Sequence, residues 1–166
     1  MAQREIIKVI GDILKNQMDL RDDQIMLAYS KFNIPEKPDL YIALSHVSGK
    51  AVGNKSYFNP ANNHEFIDTT MHELIQIDIM SFDASARLRK EEVVAAITSI
   101  FSEQQQEKYS FQIGRIPGEF VNASSLEETK ILNRFTISVA VTSIHTIERF
   151  PDYYDQFPTP VVVPNI

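Results

Sequence analysis

The sequence has no cysteine, and only five of its 166 residues are glycine. Without cysteine the chain has no disulfide framework, no thiolate metal site and no cysteine nucleophile. It also lacks the Gly-x-Gly-x-x-Gly, phosphate-loop and Gly-x-Ser-x-Gly patterns, and so few glycines argue against a backbone cradle for phosphate. Familiar signatures of nucleotide-binding and hydrolytic enzymes are therefore missing.

Long apolar runs are missing too. No run approaches the roughly 20 residues that cross a membrane, and the N-terminal segment is amphipathic with mixed charge, unlike a signal peptide. We therefore expect no membrane partner. The sequons at Asn54 and Asn122 have no secretory context, so we interpret them as chance occurrences.

Acidic residues outnumber basic ones, 22 to 16, which gives a formal net charge of −6. A dedicated nucleic-acid-binding protein would carry a basic surface, so this balance argues against one. The charge is compatible with a protein that lets DNA pass without holding it, since like charges repel. The length of 166 residues, 43% of them apolar, predicts one globular domain with a substantial core.

The stretch 71–106 predicts the centre of the fold, a long strand that leads directly into a long helix. The strand, 71–82, places three isoleucines on one face and a mixed set on the other: Ile75, Ile77 and Ile79 against Leu74, Gln76, Asp78 and Met80. Asp83 is a good N-cap for a helix that runs to about Gln106. Its stripe, which we expect to cover the isoleucines, consists of Ala86, Lys90 (through its aliphatic stem), Val93, Ala96, Ile97, Ile100 and Phe101.

Two helices are predicted before this unit. The first, 3–16, has an apolar stripe formed by Ile6, Val9, Ile10, Ile13 and Gln17. We interpret Gly11 within it as a tolerated surface glycine rather than a point of close backbone contact. The second is capped by Asp22 and ended by Pro35 and Pro38, because proline removes a backbone donor. Its buried side would carry Ile25, Ala28, Tyr29 and Phe32.

The remaining segments predict strands around a long loop. Residues 40–47 indicate a central strand, and 48–63 a long loop or hairpin arm in which Tyr57 and Phe58 either pack on the domain or anchor a partner. Further strands are expected at 108–116 and 130–147, a short strand or bulge at Phe120 and Val121, and a helical turn at 125–128. The last strand alternates between Phe135, Ile137, Val139 and Val141 on one face and Arg134, Thr136, Ser138 and Thr142 on the other.

Residues 148–166 contain four of the eight prolines and predict an extended tail. The aromatic residues between those prolines are Phe150, Tyr153, Tyr154 and Phe157. Together the elements predict an α+β fold with a single domain, 1–147, that carries the arm at 48–63. We expect a mixed, mainly antiparallel sheet of about four to five strands, packed against a long central helix and an N-terminal helix.

Few residues indicate chemistry. The four histidines, His46, His64, His72 and His145, lack the spacing of a helical metal site, so we predict no metal and no cofactor. Asp78 is interpreted as a solvent-facing residue. Arg87, Arg89 and Lys90 precede Glu91 and Glu92. They form either a self-paired helix face, with Arg87 four residues before Glu91, or a salt-bridge stripe between subunits.

Framework segments throughout the chain carry a resemblance to a known family. They include Asp23-Gln24-Ile25, Ala28-Tyr29, Phe32-Asn33-Ile34-Pro35, Leu40-Tyr41-Ile42-Ala43-Leu44, Gln76-Ile77-Asp78-Ile79-Met80-Ser81-Phe82-Asp83, Ala86, Arg89-Lys90-Glu91-Glu92, Lys108-Tyr109-Ser110-Phe111-Gln112-Ile113, Ser124-Ser125-Leu126-Glu127-Glu128 and Asn133-Arg134-Phe135-Thr136. With the order of the elements, these segments resemble the neck or tail-terminator proteins of tailed bacteriophages over roughly 22–155. None of them is a catalytic signature.

The resemblance implies a structural virion protein that is not an enzyme. Members of that family cap the head-proximal end of the tail tube, usually as a hexameric ring. They join it to the head-completion or connector complex, and the genome passes through the lumen during ejection. For this chain it implies self-association in a ring, a head-side connector partner, a tail-tube partner and transient passage of DNA without specific binding. The implied location is the virion neck, after assembly in the host cytoplasm.

We expect the interface residues to be Lys50, Lys55, Tyr57, Phe58, Arg87, Arg89, Lys90, Arg134, Phe150, Tyr153, Tyr154 and Phe157. Two alternatives stay open. A small soluble enzyme or ligand-binding domain would have a polar pocket near His72, Glu73 and Asp78. A monomeric chaperone or adaptor would use the arm to capture peptides.

Overall fold

The computed structural model describes residues 5–27, 39–61, 63–115, 119–127 and 130–150, with the backbone alone at 125–127, 130 and 131. Within these ranges there are three α-helices and a short 3₁₀ turn: α1 (Ile6–Gln17), the turn Asp22–Gln24, α2 (Ser85–Ile97) and α3 (Ile100–Lys108). The strands are β1 (Ile25–Leu27), β2 (Tyr41–Asn59), β3 (His64–Ser81), β4 (Phe111–Ile113), β5 (Val121–Asn122), β6 (Ser125–Glu127) and β7 (Lys130–Arg149). The predicted helix end at Pro35 and Pro38 and most of the predicted tail lie outside the described residues.

The sheet is mixed but mainly antiparallel, as predicted, so the fold is α+β. Its order is β1-β2-β3-β7-β4, and β5 and β6 also pair with β7. Among the described strands, β1 runs parallel to its neighbour β2. The other described pairs are antiparallel. The two longest ladders, β2 with β3 and β3 with β7, make β3 the central strand of the sheet.

The isoleucine face of β3 lies in the core, as the alternation predicted. Ile75, Ile77 and Ile79 are at most 1% exposed. The predicted apolar face of β7 joins them in one cluster with side chains from α1 and α2: Phe135, Ile137, Val139 and Val141. Two strands that bury the same face beneath two helices provide most of the hydrophobic stabilisation, at roughly 25 cal/mol per Å² of apolar surface removed from water.

The single long helix predicted from Asp83 to Gln106 is wrong, because the chain breaks it at Thr98 and Ser99. Ser99 has an extended backbone (φ −72°, ψ 157°), and its hydroxyl accepts a hydrogen bond from the Ser102 N–H at 3.1 Å, which starts α3. The break turns Ile100 out of the predicted stripe, and its side chain is 74% exposed. A serine N-cap therefore overrides an apolar spacing that continues through it.

Asp83 accepts hydrogen bonds at the start of α2, as predicted. The Asp83 carboxylate accepts hydrogen bonds from the Ser85 N–H at 2.8 Å and from the Ser85 hydroxyl at 2.9 Å. The backbone hydrogen bond from Ser85 is the main reason that the pKa of Asp83 lies below its usual range. The Ser81 hydroxyl accepts from the Ala86 N–H at 2.9 Å, so two side chains satisfy the first turn.

Helix α1 confirms the predicted burial of Val9, Ile10 and Ile13, whereas Gln17 is exposed and does not belong to the stripe. The interpretation of Gly11 as a surface glycine is wrong. Gly11 is buried, and a Cβ at this position would lie 3.3 Å from Leu44 Cδ1 and 3.5 Å from Ile25 Cγ2. The glycine lets α1 lie close to the β1 and β2 strands.

The second predicted helix is wrong within the described residues. The chain makes only the 3₁₀ turn Asp22–Gln24 and then enters β1, which pairs with Ile42–Leu44. Gln24 fixes this course because its amide donates to the Leu40 carbonyl at 2.9 Å and accepts from the Arg21 N–H at 2.9 Å. Backbone pairing to β2 therefore outweighs the helical spacing of the side chains.

Two smaller predictions change and a third is confirmed. The strand expected at 108–116 is only Phe111–Ile113, because Lys108 still belongs to α3. The short strand expected near Phe120 and Val121 is present as β5. The helical turn expected at 125–128 is wrong for its described part, since Ser125–Glu127 pairs with β7 as a strand.

Candidate functional site

Beyond the core, three strands continue together as a thin sheet that we call the ribbon, formed by residues 50–59, 64–72 and 142–149. Its cross-strand partners include Lys50 with His72 and Lys55 with Asp68 on β2 and β3, and the β3 residues pair onward with β7. Eight to ten residues per strand at about 3.3 Å each give a length of about 30 Å. The segment 48–63 interpreted as a loop or arm thus forms one side and the end of the ribbon.

The turn that closes the ribbon follows from asparagine chemistry. The side-chain oxygen of Asn59 accepts a hydrogen bond from the Ala61 N–H at 3.1 Å. Asn63 has a positive φ of 58°, a left-handed conformation that asparagine tolerates better than most residues. The segment that reads as an irregular polar loop is therefore a hairpin.

Bulges modify the edge strand of the ribbon. The register of β2 shifts between His46 and Ser48 and again between Ala51 and Gly53. Such bulges twist a strand and discourage uncontrolled pairing at its edge. Between them lies Gly49, where a Cβ would be only 3.2 Å from His46 Cε1.

Hydrophobic side chains on the ribbon do not belong to a core. Among the described residues, none of them is part of either hydrophobic cluster. Five are between 39% and 50% exposed: Val52, Tyr57, Phe58, Ile144 and Ile147. Exposed hydrophobic residues gathered on both faces of a projecting sheet mark an interaction surface.

One face of the ribbon, which we call the outer face, carries a row of four aromatic rings at its end. Tyr57 stacks on Phe66, with centroids 5.3 Å apart and planes 15° apart. Phe66 lies 6.2 Å from His64, and the His64 ring meets the edge of Phe150 at 4.1 Å. We call these four residues the aromatic row. Phe150 is 75% exposed, the highest value among the exposed large hydrophobic residues.

Charged groups accompany the aromatic row. Lys55 Nζ lies 5.9 Å from the centroid of the Tyr57 ring, and Glu148 is hydrogen-bonded to His64. Lys50, exposed on the same face, lies opposite His72. Four of the expected interface residues therefore lie on the ribbon, Lys50, Lys55, Tyr57 and Phe58, and a fifth, Phe150, follows it directly.

The opposite, inner face of the ribbon bounds a half-open cavity of about 530 Å³ against the start of α1. Its lining includes Ile6, His46, Met71, Glu73 and His145. His46 Nε2 lies 3.3 Å from Glu73 Oε1, an ion pair only when the imidazole is protonated.

The polar pocket suggested near His72, Glu73 and Asp78 is not assembled. Glu73 alone lines the cavity. His72 and Asp78 occupy even positions of β3, whose side chains point to the outer face because successive strand residues alternate.

The interpretation of Asp78 as a solvent-facing residue is wrong, because Asp78 is only 4% exposed. Its carboxylate accepts from Arg134 Nη2 at 2.8 Å, from Thr136 Oγ1 at 2.5 Å and from Gln76 Nε2 at 3.1 Å. Arg134, an expected interface residue, is therefore held within its own chain.

The basic cluster on α2 is largely self-paired. Arg89 bonds to the Glu92 carboxylate at 2.7 Å and to the Met18 carbonyl at 2.8 Å, and hydrogen bonding to Glu92 raises its pKa. Lys90 pairs with Glu91, and its Nζ lies 5.6 Å from the rings of Phe120 and Phe135. Arg87 is exposed beside them. These three residues lie on α2 rather than on the ribbon, and Tyr153, Tyr154 and Phe157 lie outside the described residues.

The described part of the chain has neither a metal-binding cluster nor a membrane-spanning helix. It contains no group of three or more histidine or acidic side chains placed to hold a metal ion. None of its helices combines the length and apolar character that a membrane-spanning helix needs.

Comparisons with known proteins add no relative. No family model matches the chain, and the search of curated proteins also returns no match.

The aromatic row contains two residues that sequence reasoning missed, Phe66 and His64. Their position follows from the hairpin pairing, because the pairing of Asn59 with His64 places Phe66 directly opposite Tyr57.

Proposed function

We propose that this chain is a ring-forming structural protein of a tailed-bacteriophage neck, which caps the tail tube and joins it to the head-side connector. The family resemblance in the framework segments suggests this role. The ribbon is the observation that carries it, because a structural joint needs extended surfaces for neighbouring subunits. No enzymatic activity is part of the proposal.

The energetics of the ribbon support self-association. A thin sheet with exposed apolar groups such as Val52, Tyr57 and Phe58 gains little from its own fold. Covering a large aromatic or aliphatic side chain contributes about 1.5–3 kcal/mol. A closed ring uses heterologous contacts, in which one surface of each copy meets a different surface of the next. A projecting ribbon and the folded body are two such distinct surfaces.

The charge of the chain supports a passive lumen. The net charge of −6 disfavours tight contact with the phosphate backbone, whose binding depends on lysine and arginine. Several cations are already paired within the chain, including Arg89 and Arg134. DNA would therefore pass through such a ring without being held.

A second candidate, a ligand-binding domain, is favoured by the inner-face cavity with His46, Glu73 and His145. It predicts that a small polar ligand raises the melting temperature of the wild-type protein and has no such effect on Glu73→Gln. A screen of small anions, amines and sugars that produces no shift would count against this candidate.

Native mass spectrometry of the full chain, alone and mixed with the head-side and tail-side neighbouring proteins, tests the proposed function. We expect a closed oligomer, or one that forms when a neighbour is added. Negative-stain images of the same sample should show rings with an open centre. A strict monomer that binds neither neighbour at high concentration contradicts the proposal.

A further inference from the structure

The aromatic row crosses the width of the ribbon and has no cover among the described residues. Tyr57 lies on β2, Phe66 and His64 on β3, and Phe150 directly after β7. The ends of the row lie two strand spacings of about 4.8 Å apart across the sheet and two residues apart along it, which separates them by about 12 Å. The row is thus a line of ring faces and edges at the point where the sequence continues into residues 151–166.

The sequence of 151–166 has the composition that such rows bind. It contains Pro151, Pro158, Pro160 and Pro164, and proline favours the polyproline conformation, which has three residues per turn and a rise of about 3.1 Å per residue. In that conformation Pro158, Val161 and Pro164 share one face, with about 9 Å between successive members and about 19 Å from Pro158 to Pro164. One such spacing fits within the aromatic row, so two successive residues of this set can contact its rings at once.

Charge adds to the match. Residues 151–166 contain Asp152 and Asp155 and no lysine, arginine or histidine. Lys50 and Lys55 lie along the β2 side of the outer face, and Lys55 is already near the Tyr57 ring. Opposite charges at the rim of an apolar site favour encounter and fix the register of the bound segment.

We propose that the aromatic row binds the proline-rich segment 151–166 of a neighbouring copy of this chain, with two successive residues of the set Pro158, Val161 and Pro164 against the rings. Aromatic-lined grooves recognise proline-rich segments in this way because little conformational entropy is lost on binding. Seven residues in the polyproline conformation measure about 22 Å, so the stretch 151–157 is long enough to reach a neighbouring copy. The inference rests on the proposed self-association and names the contact that would link adjacent subunits.

The first experiment measures binding of a fluorescein-labelled synthetic peptide with the sequence 151–166 to the full-length protein, at a concentration where the protein is monomeric. We expect Tyr57→Ser and Phe150→Ser each to weaken the peptide about tenfold, the loss typical of an anchoring aromatic residue. Phe58→Ser is the matched control. Phe58 is 44% exposed, like Tyr57, but lies at the neighbouring strand position on the opposite face. Equal affinity for all four proteins, each shown to be folded by its melting curve, overturns the proposal.

Peptide variants test the register. Replacing Pro158 and Pro164 by alanine should weaken binding about tenfold, since either register of two successive residues places one of these prolines on the rings. Replacing Pro160, which would face away, should change affinity less than about twofold. If the Pro160 variant binds as weakly as the double variant, the assigned face is wrong.

A fluorescence reporter separates a neighbouring segment from the chain's own. The sequence contains no tryptophan, so Tyr57→Trp introduces a single reporter in the row. We expect its emission to shift to the blue as the protein concentration rises, because neighbouring copies then supply the segment. A blue-shifted emission that does not change with concentration means that the row is filled within one chain, and it overturns the neighbouring-copy assignment.

The outcomes also separate this inference from the proposed function. Rings whose assembly is unchanged by Tyr57→Ser would contradict the inference and leave the proposed function standing. Oligomers that Tyr57→Ser dissociates, but that form no ring and bind neither neighbouring protein, would contradict the proposed function and leave the inference standing.

Discussion

Arg134 on β7 and Asp78 on β3 form a charged pair across neighbouring strands, with 2.8 Å between Nη2 and Oδ2, on the face of the sheet opposite the isoleucine core. The carboxylate is nearly inaccessible, while the guanidinium is 39% exposed at its side chain. Next to the pair lies a second, smaller cluster of buried residues: Met26, Tyr41, Ala43, Met80 and Leu132. The body of the sheet is thus covered on both faces, whereas the ribbon is not.

The first prediction is that Arg134→Ala destabilises the protein by about 2 kcal/mol, less than a fully buried pair would lose because the guanidinium is partly solvated. The physical reason is that Asp78 would keep hydrogen bonds from Thr136 and Gln76 but lose its counter-charge. Urea unfolding followed by circular dichroism measures the change.

The control is the double variant Asp78→Asn with Arg134→Ala. It carries no uncompensated buried charge, so we expect it to be more stable than Arg134→Ala alone. A double variant at least as unstable as the sum of the two single variants would show that the charge is not the cause.

The core was predictable from the sequence because burial on one face leaves a two-residue period. Ile75, Ile77 and Ile79 follow that period and lie in the core. The break at Ser99 was missed because the apolar spacing around it continues as in a helix. The local sign of the break is Ser99 itself, whose hydroxyl accepts a hydrogen bond from the Ser102 N–H. Periodicity in a single segment does not show whether a serine within it caps a new helix or continues the old one.

At the candidate site, too, the pattern of a single segment did not predict the structure of the ribbon. Residues 48–59 are exposed or nearly so along β2, so no alternation of burial is written into them. Their glycines, asparagines and lysines are typical of a loop, and only the ladder to β3 makes them a strand. Sequence reasoning named Tyr57, Phe58 and Phe150 as expected interface residues, but the arrangement of Tyr57 and Phe150 in a row depends on a register that it did not specify.

The second prediction concerns Gly11 in α1. We expect Gly11→Val to destabilise the protein by about 2 kcal/mol, because the larger side chain meets Leu44 and Ile25 in a packed site. Gly11→Ala should be nearly neutral, since its contact at 3.3 Å offsets a gain in helix propensity of about 1 kcal/mol. Denaturant midpoints of the two variants decide this; equal midpoints would mean that α1 can move away from the sheet.

The third prediction is a pH dependence that comes from Asp83. Its pKa is lowered in the folded protein, chiefly by the backbone hydrogen bond from Ser85, while in the unfolded chain it is about 3.9. The unfolded state therefore binds the proton more readily, so the stabilisation is complete above about pH 5 and is lost as the pH falls through the lowered pKa.

We expect Asp83→Ala to be less stable than the wild type by about 1 kcal/mol at pH 7, and the difference to shrink below about pH 4. Asp83→Asn is the matched control, because its amide oxygen still accepts the hydrogen bond but does not titrate. Unfolding curves from pH 7 to pH 2.5 supply the measurement. A difference that grows as the pH falls would contradict the sign of the argument.

The fourth prediction tests the core that holds the ribbon in place. Ile77→Asp and Ile97→Asp should each unfold the domain, since each would bury an unpaired carboxylate at a position at most 2% exposed. Leu88→Asp is the control on the same helix as Ile97, because Leu88 is 71% exposed. Loss of the near-ultraviolet signal in the first two variants and its retention in the third is the expected result.

The fifth prediction compares two truncations at the end of β7. Removing 151–166 should leave the melting temperature unchanged and abolish self-association, because β7 still reaches Arg149 and Phe150 still meets His64. Removing 145–166 should also lower the melting temperature, since it deletes the ladder partners of Glu65 to Thr69. Both truncated proteins can be compared by differential scanning calorimetry and sedimentation velocity. If the shorter deletion prevents folding, residues 151–166 stabilise the domain itself and are not free to bind a neighbour; if it leaves self-association intact, the contact between subunits lies elsewhere on the chain.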